Sequence, residues 1–323
     1  MTLKPLKGIH HVSAITGDAV KNYEFYTETL GMRLVKKTVN QDDTSMYHLF
    51  YADERGNPGT DFTFFEIPQA GRTYQGTNCI SNTSLRVKND QTLTYWKDRF
   101  EKSGVNHKEI TTENGRAILR FEDFEGQRMT LVSDEQTRGV AAGQPWAKSP
   151  VPGENGITGL GPVTLTVSRP ERTAKVLTEI LTFKEVASFV NEEGNDVLVF
   201  ETGEGGTGAE VHVETLKDAQ RERPGRGSVH HVAFRVESEE ELKKWVQYFD
   251  ESGIQSSGFV ERYYFKSLYF RESNGILFEL ATDGPGFAVD EPIDKLGESL
   301  ALPPYLEDQR ETIEAKLTPL KTK

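Results

Sequence analysis

The sequence predicts an α+β protein made of four tandem strand-helix-strand-strand-strand (βαβββ) modules, which form two curved-sheet domains followed by a C-terminal helical tail. Three observations carry this expectation. One phrase occurs twice, as Gly8-Ile9-His10-His11-Val12-Ser13-Ala14-Ile15-Thr16 and as Ser228-Val229-His230-His231-Val232-Ala233-Phe234-Arg235-Val236. Two weaker copies lie between them, Asn82-Thr83-Ser84-Leu85-Arg86-Val87 and Gly161-Pro162-Val163-Thr164-Leu165-Thr166-Val167. Each copy alternates as a strand does and leads directly into a helix pattern.

In the first module Asp18 caps a helix with Tyr23, Tyr26 and Leu30 on one face, stopped by Gly31. The second helix runs from Asn89 through Leu93, Trp96 and Phe100 to Gly104. The third starts at Ser168 with Pro170 in its first turn and carries Leu177 and Leu181. In the fourth, Ser238 and Glu241 form a capping box ahead of Leu242, Trp245 and Phe249, and Gly253 ends the helix. Strand-like runs follow each helix, and the modules close with strands at 62–67, 128–132, 209–213 and 276–281.

A chain of 323 residues exceeds one ordinary core. It divides into residues 1–138 (modules 1 and 2), a Gly- and Pro-rich linker at 139–160, residues 161–285 (modules 3 and 4) and a tail at 286–323. In the tail, Leu306, Ile313 and Leu317 form an amphipathic stripe expected to dock on the body.

Charge and cysteine content exclude several functions. With 38 basic against 50 acidic residues the net charge is -12, which repels phosphate backbones and anionic lipid, so neither nucleic acid nor membrane is an expected partner. Cys79 alone excludes a disulfide framework, a thiolate zinc cluster and an iron-sulfur site. No targeting segment or membrane-length apolar run is visible, and the protein reads as cytoplasmic. Nothing in the sequence forbids a homo-oligomer.

Four of the seven histidines form two His-His pairs at the same place in modules 1 and 4. Side chains alternate along a strand, so only one of each pair faces the concave interior, and the other faces the helices or sits near the strand end. His230 shares the parity of the apolar Val232, Phe234 and Val236, which leaves His231 inward. The gapless alignment makes His11 inward as well, and gives His10 the parity of Val12 and Ala14. In the last closing strand Phe278 and Leu280 face the helices and Glu279 points inward. Two inward imidazoles and one carboxylate match the facial triad that holds Fe(II) and leaves positions open for a bidentate substrate and dioxygen. The degenerate modules carry Asn82, Pro162 (Gly161 if the register slips) and Thr130 at these positions, so modules 1 and 4 build one site. His212 reads as an exposed strand residue, His107 as solvated and Cys79 as structural. For His48 both core hydrogen bonding and pocket lining stay open.

Four such units in tandem are the layout of the vicinal oxygen chelate superfamily, which includes glyoxalase, bleomycin-resistance and extradiol dioxygenase proteins, and the chain resembles it from end to end. That resemblance implies one curved eight-stranded sheet per chain half, with helices outside. Within the superfamily the chain is most similar to hydroquinone-type ring-cleaving dioxygenases. The match includes Ile9-His10-His11-Val12, Thr16-Gly17-Asp18-Ala19, Lys36-Lys37-Thr38-Val39-Asn40, Tyr47-His48-Leu49, Val229-His230-His231-Val232 and Gly275-Ile276-Leu277-Phe278-Glu279.

The resemblance implies Fe(II), or Mn(II), Zn(II) or Ni(II), on His11, His231 and Glu279. It also implies a catalytic shell of Tyr269, Arg262, His230 and His10, and substrate contacts from Ser13, Arg262 and Tyr269. The partners would be a small aromatic diol and dioxygen, in aromatic catabolism or quinone detoxification. Glu66 aligns with Glu279 in one register and Thr63 in another. An inward Glu66 would make a two-His-two-Glu site resembling glyoxalase I. A metal-free sequestering protein is the third reading.

Overall fold

The computed structural model describes residues 3–136 and 138–322. The first module holds β1 (Ile9–Thr16), α1 (Ala19–Glu24), β2 (Arg33–Val39), β3 (Tyr47–Ala52) and β4 (Asp61–Glu66). The second holds β5 (Cys79–Val87), α2 (Asp90–Ser103), β6 (Thr111–Glu113), β7 (Arg116–Glu122) and β8 (Arg128–Ser133). The third holds β9 (Gly159–Val167), α3 (Pro170–Lys175), β10 (Lys184–Val190), β11 (Asp196–Glu201) and β12 (Glu210–Thr215). The fourth holds β13 (Val229–Val236), α4 (Glu239–Glu251), β14 (Val260–Glu261), β15 (Phe265–Arg271) and β16 (Leu277–Pro285), and α5 (Arg310–Glu314) lies in the tail.

In every module the closing strand lies parallel to the first, as β4 does to β1 and β16 to β13. Two eight-stranded sheets result, β14-β15-β16-β13-β1-β4-β3-β2 and β10-β11-β12-β9-β5-β8-β7-β6. The expectation of one sheet per chain half is therefore corrected: modules 1 and 4 share one sheet, and modules 2 and 3 the other. The first strand of each module presents an open edge that needs a partner. Because four near-copies of that edge exist, local sequence does not say which two will join. β1 joins β13 and β5 joins β9, both antiparallel. The segments leading into β5 and β13 run side by side, with bridges Arg72–Arg226 and Tyr74–Arg223, as each passes to the opposite sheet. Part of the 139–160 segment is fastened to module 1, where Ser149 Oγ donates to Gly31 O at 2.8 Å and Gln144 N to Asp53 Oδ2 at 3.1 Å.

Asp18 caps α1 by accepting from Lys21 N at 3.0 Å. Ser238 caps α4, but Glu241 accepts from Lys4 N at 3.0 Å instead of returning the bond, so half of the capping box forms. Ser168 does not cap α3. Its N and Oγ turn to Asn78 Oδ1, and Arg169 stands at the cap position. α1 and α3 each run on into one wide turn, Phe25–Thr29 and Val176–Ile180. Gly104 at φ 67° and Gly253 at φ 65° close the other two helices in the left-handed conformation that glycine adopts without strain.

Trp96, Phe100, Trp245 and Phe249 pack between helices and sheets at 0% exposure, each contributing about 2 to 3 kcal/mol relative to solvent. Leu306, Ile313 and Leu317 of the tail are buried, as their spacing predicts. The apolar faces thus lie outward, under the helices. The concave faces are left for polar side chains.

Candidate metal centre

Pairing of β1 with β13 sets Ser13 opposite His231 and His11 opposite Ala233. β16 adds Glu279 beside Ala233, two residues from His231 on the same face. His11 Nε2 lies 3.2 Å from His231 Nε2, and Glu279 Oε2 lies 3.1 and 2.9 Å from the two. All three residues are buried, and they form the one convergent His/Cys/Asp/Glu group of metal-binding geometry among the described residues.

The donors fit a divalent cation. Glu279 Oε1 accepts from Ser267 Oγ at 2.5 Å, while Oε2 is buried without a hydrogen-bond donor. Burial pushes the Glu279 carboxyl up, but His11 and His231 outweigh it and hold it well below the usual range. A buried anionic oxygen without a donor is costly, and a cation offsets that cost. Atoms spaced by about 3 Å suit neighbouring positions around one ion at about 2.1 Å, and two nitrogens with one oxygen suit first-row divalent metals.

The second histidine of each pair stands behind the first. His10 Nδ1 is 2.9 Å from His11 Nδ1, and His230 Nδ1 is 2.8 Å from His231 Nδ1. His10 Nε2 lies 3.0 Å from Thr282 O. Because a carbonyl only accepts, we assign the His10 proton to Nε2. Its Nδ1 then accepts from His11 Nδ1–H, and His11 Nε2 keeps a lone pair facing the centre. Burial, followed by the neighbouring imidazole, pushes His10 down to about 3 and His230 to about 4, so both are neutral near pH 7.

Parity alone misplaces His10. A register shift between Ile9 and His11 breaks the alternation, and the His10 ring lies against Phe265 at 5.3 Å, on the same side as His11. His230, near the start of β13, keeps one side open to solvent while its ring packs against Phe65 and His231 and lines the cavity.

That cavity, of about 350 Å³, opens on His11 and His231 and is also lined by Met46, Phe65, Arg262 and Tyr269. Arg262 Nε donates to Tyr269 Oη at 3.3 Å, and its two terminal nitrogens donate to Asp42 Oδ1 and Oδ2 at 3.0 and 2.9 Å. Burial raises the Tyr269 hydroxyl, keeping it protonated. Ser13 does not line the cavity: its Oγ lies 2.7 Å from Thr63 Oγ1, which lies 2.9 Å from His48 Nε2. His48 combines both roles that the sequence left open, since it bonds Thr63 and also lines the cavity between Phe50 and Phe65. Asp42 escapes sequence reasoning because an acidic residue in a polar turn gives no pattern.

The pairing of Ser13 with Thr63 corresponds to that of Ala233 with Glu279, so Thr63 is the counterpart of Glu279. Glu66 is outside the centre and accepts from Ala19 N at 3.0 Å at the start of α1. His212 is buried and bonded to Glu210, not exposed, because β12 turns this position into the second sheet's concavity. Cys79 is buried and its thiol is pushed up by that burial, so it is no ready nucleophile.

Two curved sheets of βαβββ modules, one of which carries a His-His-Glu group, define a glyoxalase-like protein with a candidate metal centre. The family profile described as "Glyoxalase/Bleomycin resistance protein/Dioxygenase superfamily" matches residues 8–131 and 159–280, and the chain belongs to that superfamily and to its ring-cleaving dioxygenase family. It is 55% identical over 315 residues to a Bacillus subtilis (strain 168) protein provisionally named ring-cleaving dioxygenase MhqA, covering 98% of this chain and 99% of the relative. It is 32% identical over 320 residues to the chlorohydroquinone/hydroquinone 1,2-dioxygenase of Sphingobium indicum, with 95% of each chain covered. A crystal structure from Bacillus subtilis, provisionally titled a dioxygenase, superposes with a TM-score of 0.89 at 34% identity over 99% of each chain.

Proposed function

We propose that the protein is a non-haem Fe(II)-dependent dioxygenase that cleaves the ring of a hydroquinone- or catechol-type diol. The observation that carries this reading is the His11, His231 and Glu279 group, with its unbonded carboxylate oxygen, whose two histidines line a cavity of about 350 Å³. The printed name of the Sphingobium relative concerns the same class of diol.

Fe(II) on this triad would supply the electrons and open positions that a reaction of a diol with dioxygen requires. Around it the chain does defined work. Arg262 stabilises the oxyanion left when the diol loses a proton, and the protonated Tyr269 hydroxyl donates to the same oxygen. His230, neutral near pH 7, takes or returns a proton on the cavity wall. Met46, Phe65 and Leu277 pack on the ring and keep water from it. His10 acts through His11 by holding its tautomer, and Ser13 acts only through Thr63 and His48. With one free, buried cysteine the protein suits a reducing cytoplasm.

Glu66 at the start of α1 removes the observation on which a two-His-two-Glu isomerase would rest. A sequestering pocket has no use for three convergent donors.

The test is oxygen uptake by protein purified anaerobically and loaded with Fe(II), across a panel of hydroquinones and catechols. Uptake should accompany a product heavier than the diol by both atoms of dioxygen. Absence of uptake with iron bound sinks the reading.

A further inference from the structure

The second sheet curves around a larger cavity, about 760 Å³, which the metal centre does not use. Its floor repeats the register of the first site. Ser84 lies beside Thr130 and Thr164 beside His212, with Asn82 and Pro162 two residues earlier. The positions of His11, Thr63, His231 and Glu279 are thus taken by Asn82, Thr130, Pro162 and His212. Thr130 Oγ1 donates to Asn82 Oδ1 at 3.1 Å, and no carboxylate occupies any of the four positions.

Several charges on the wall are already paired. Arg116 binds Glu210 through two bonds of 2.8 and 2.6 Å, Lys108 meets Glu193 at 3.2 Å, and Arg120 pairs with Glu113. Glu214 accepts from Thr166, Asn191 Nδ2 and Asn195 Nδ2. On the floor the polar groups offered to a ligand carry no carboxylate: the second N–H of the Asn82 amide, whose Nδ2 also donates to Ser84 Oγ at 3.4 Å, the Thr164 hydroxyl and one nitrogen of His212. His212 Nε2 lies 3.1 Å from Glu210 Oε2. A carboxylate only accepts, so His212 Nε2 carries a proton toward Glu210, and Nδ1 is the ring nitrogen left for a ligand. Ile118, Val197 and Phe189 add apolar wall, with the Phe189 ring edge-on to His212 at 5.7 Å. Apolar walls, a few neutral donors and acceptors and this volume are the properties of a small-molecule site.

We propose that the cavity of modules 2 and 3 is a second, metal-independent binding site for an uncharged, hydroxylated ring compound. Its hydroxyls bond to Asn82, Thr164 and His212, and its ring packs on Ile118 and Phe189. A phenolic diol and a sugar share that chemistry. The site does not depend on the dioxygenase reading.

The test follows isoleucine δ1-methyl resonances of the full chain loaded with Zn(II), which is diamagnetic, during titration with hydroquinone and separately with xylose. Ile118 reports the second cavity, while Ile15 and Ile67 report the first. The expected result is a saturable Ile118 shift below about 5 mM with at least one compound. It should persist in Glu279→Gln and weaken about tenfold in Asn82→Leu or His212→Phe. The compound that shifts Ile118 identifies the ligand as aromatic or sugar-like. An Ile118 resonance unmoved by both compounds up to about 20 mM overturns the proposal even if neither variant folds. A shift abolished by Glu279→Gln overturns it too. Shifts at Ile15 and Ile67 alone refute the second site while leaving the first intact.

Discussion

The Nε2 atoms of His11 and His231 lie 3.2 Å apart although 220 residues separate them in the chain. The β1–β13 ladder alone brings them together, and Glu279 joins from the neighbouring strand. The metal centre is therefore a property of the seam between the first and last modules.

Glu279→Gln preserves shape and removes charge. Metal affinity should fall by at least about 100-fold, and oxygen uptake with it. Iron content after anaerobic dialysis measures this, and full retention of iron would contradict the assigned ligand set.

Ser267 is fully buried and donates to Glu279 Oε1 at 2.5 Å. Ser267→Ala should weaken metal binding by about 10- to 100-fold by loosening the carboxylate's orientation. Chelator competition reads the loss, with circular dichroism unchanged.

Arg262 holds both Asp42 and Tyr269. Arg262→Met should lower kcat/KM by about 100- to 1,000-fold, as expected when a donor to a developing oxyanion is removed. Asp42→Ala leaves the guanidinium in place and should cost about tenfold or less, mostly in KM. Equal losses in the two variants would reduce Arg262 to a strap across the cavity mouth.

Glu210 lies at about 2, below its usual 4.5: burial pushes it up, but His212 and Arg116 outweigh that. Its folded value is depressed, so its stabilisation is fully present above about pH 4.5 and is lost as pH falls toward 2. The shift corresponds to roughly 3 kcal/mol. The pH dependence of urea midpoints should be shallower in Glu210→Gln than in the wild type across that window. Identical slopes would show that the ion pair contributes no linkage.

Glu66→Gln should leave oxygen uptake within about twofold and cost about 1 kcal/mol, because the carboxylate serves α1 and not the metal. Loss of metal binding in this variant would restore the two-His-two-Glu site.

The four modules, the helix faces and the inward parity of His11, His231 and Glu279 were legible because periodicity within a strand or helix encodes which face is apolar. His10, His230 and Glu66 were not placed by it. A register shift in β1 turns His10, exposure near the start of β13 frees His230, and the β1–β4 ladder puts Thr63, not Glu66, opposite Ser13. Asp42 reaches Arg262 from another module, a contact without local trace.

Sequence alone therefore gives the α+β class, the repeat, the exclusion of an internal disulfide framework and thiolate clusters, and the candidate donors His11, His231 and Glu279. Tertiary structure decides which modules share a sheet, which oxygen of Glu279 is left unbonded, and that a second concavity faces Asn82 and His212. The division is physical. Side-chain alternation is a local property of the backbone, whereas the pairing of equivalent strand edges is chosen by packing across the whole chain.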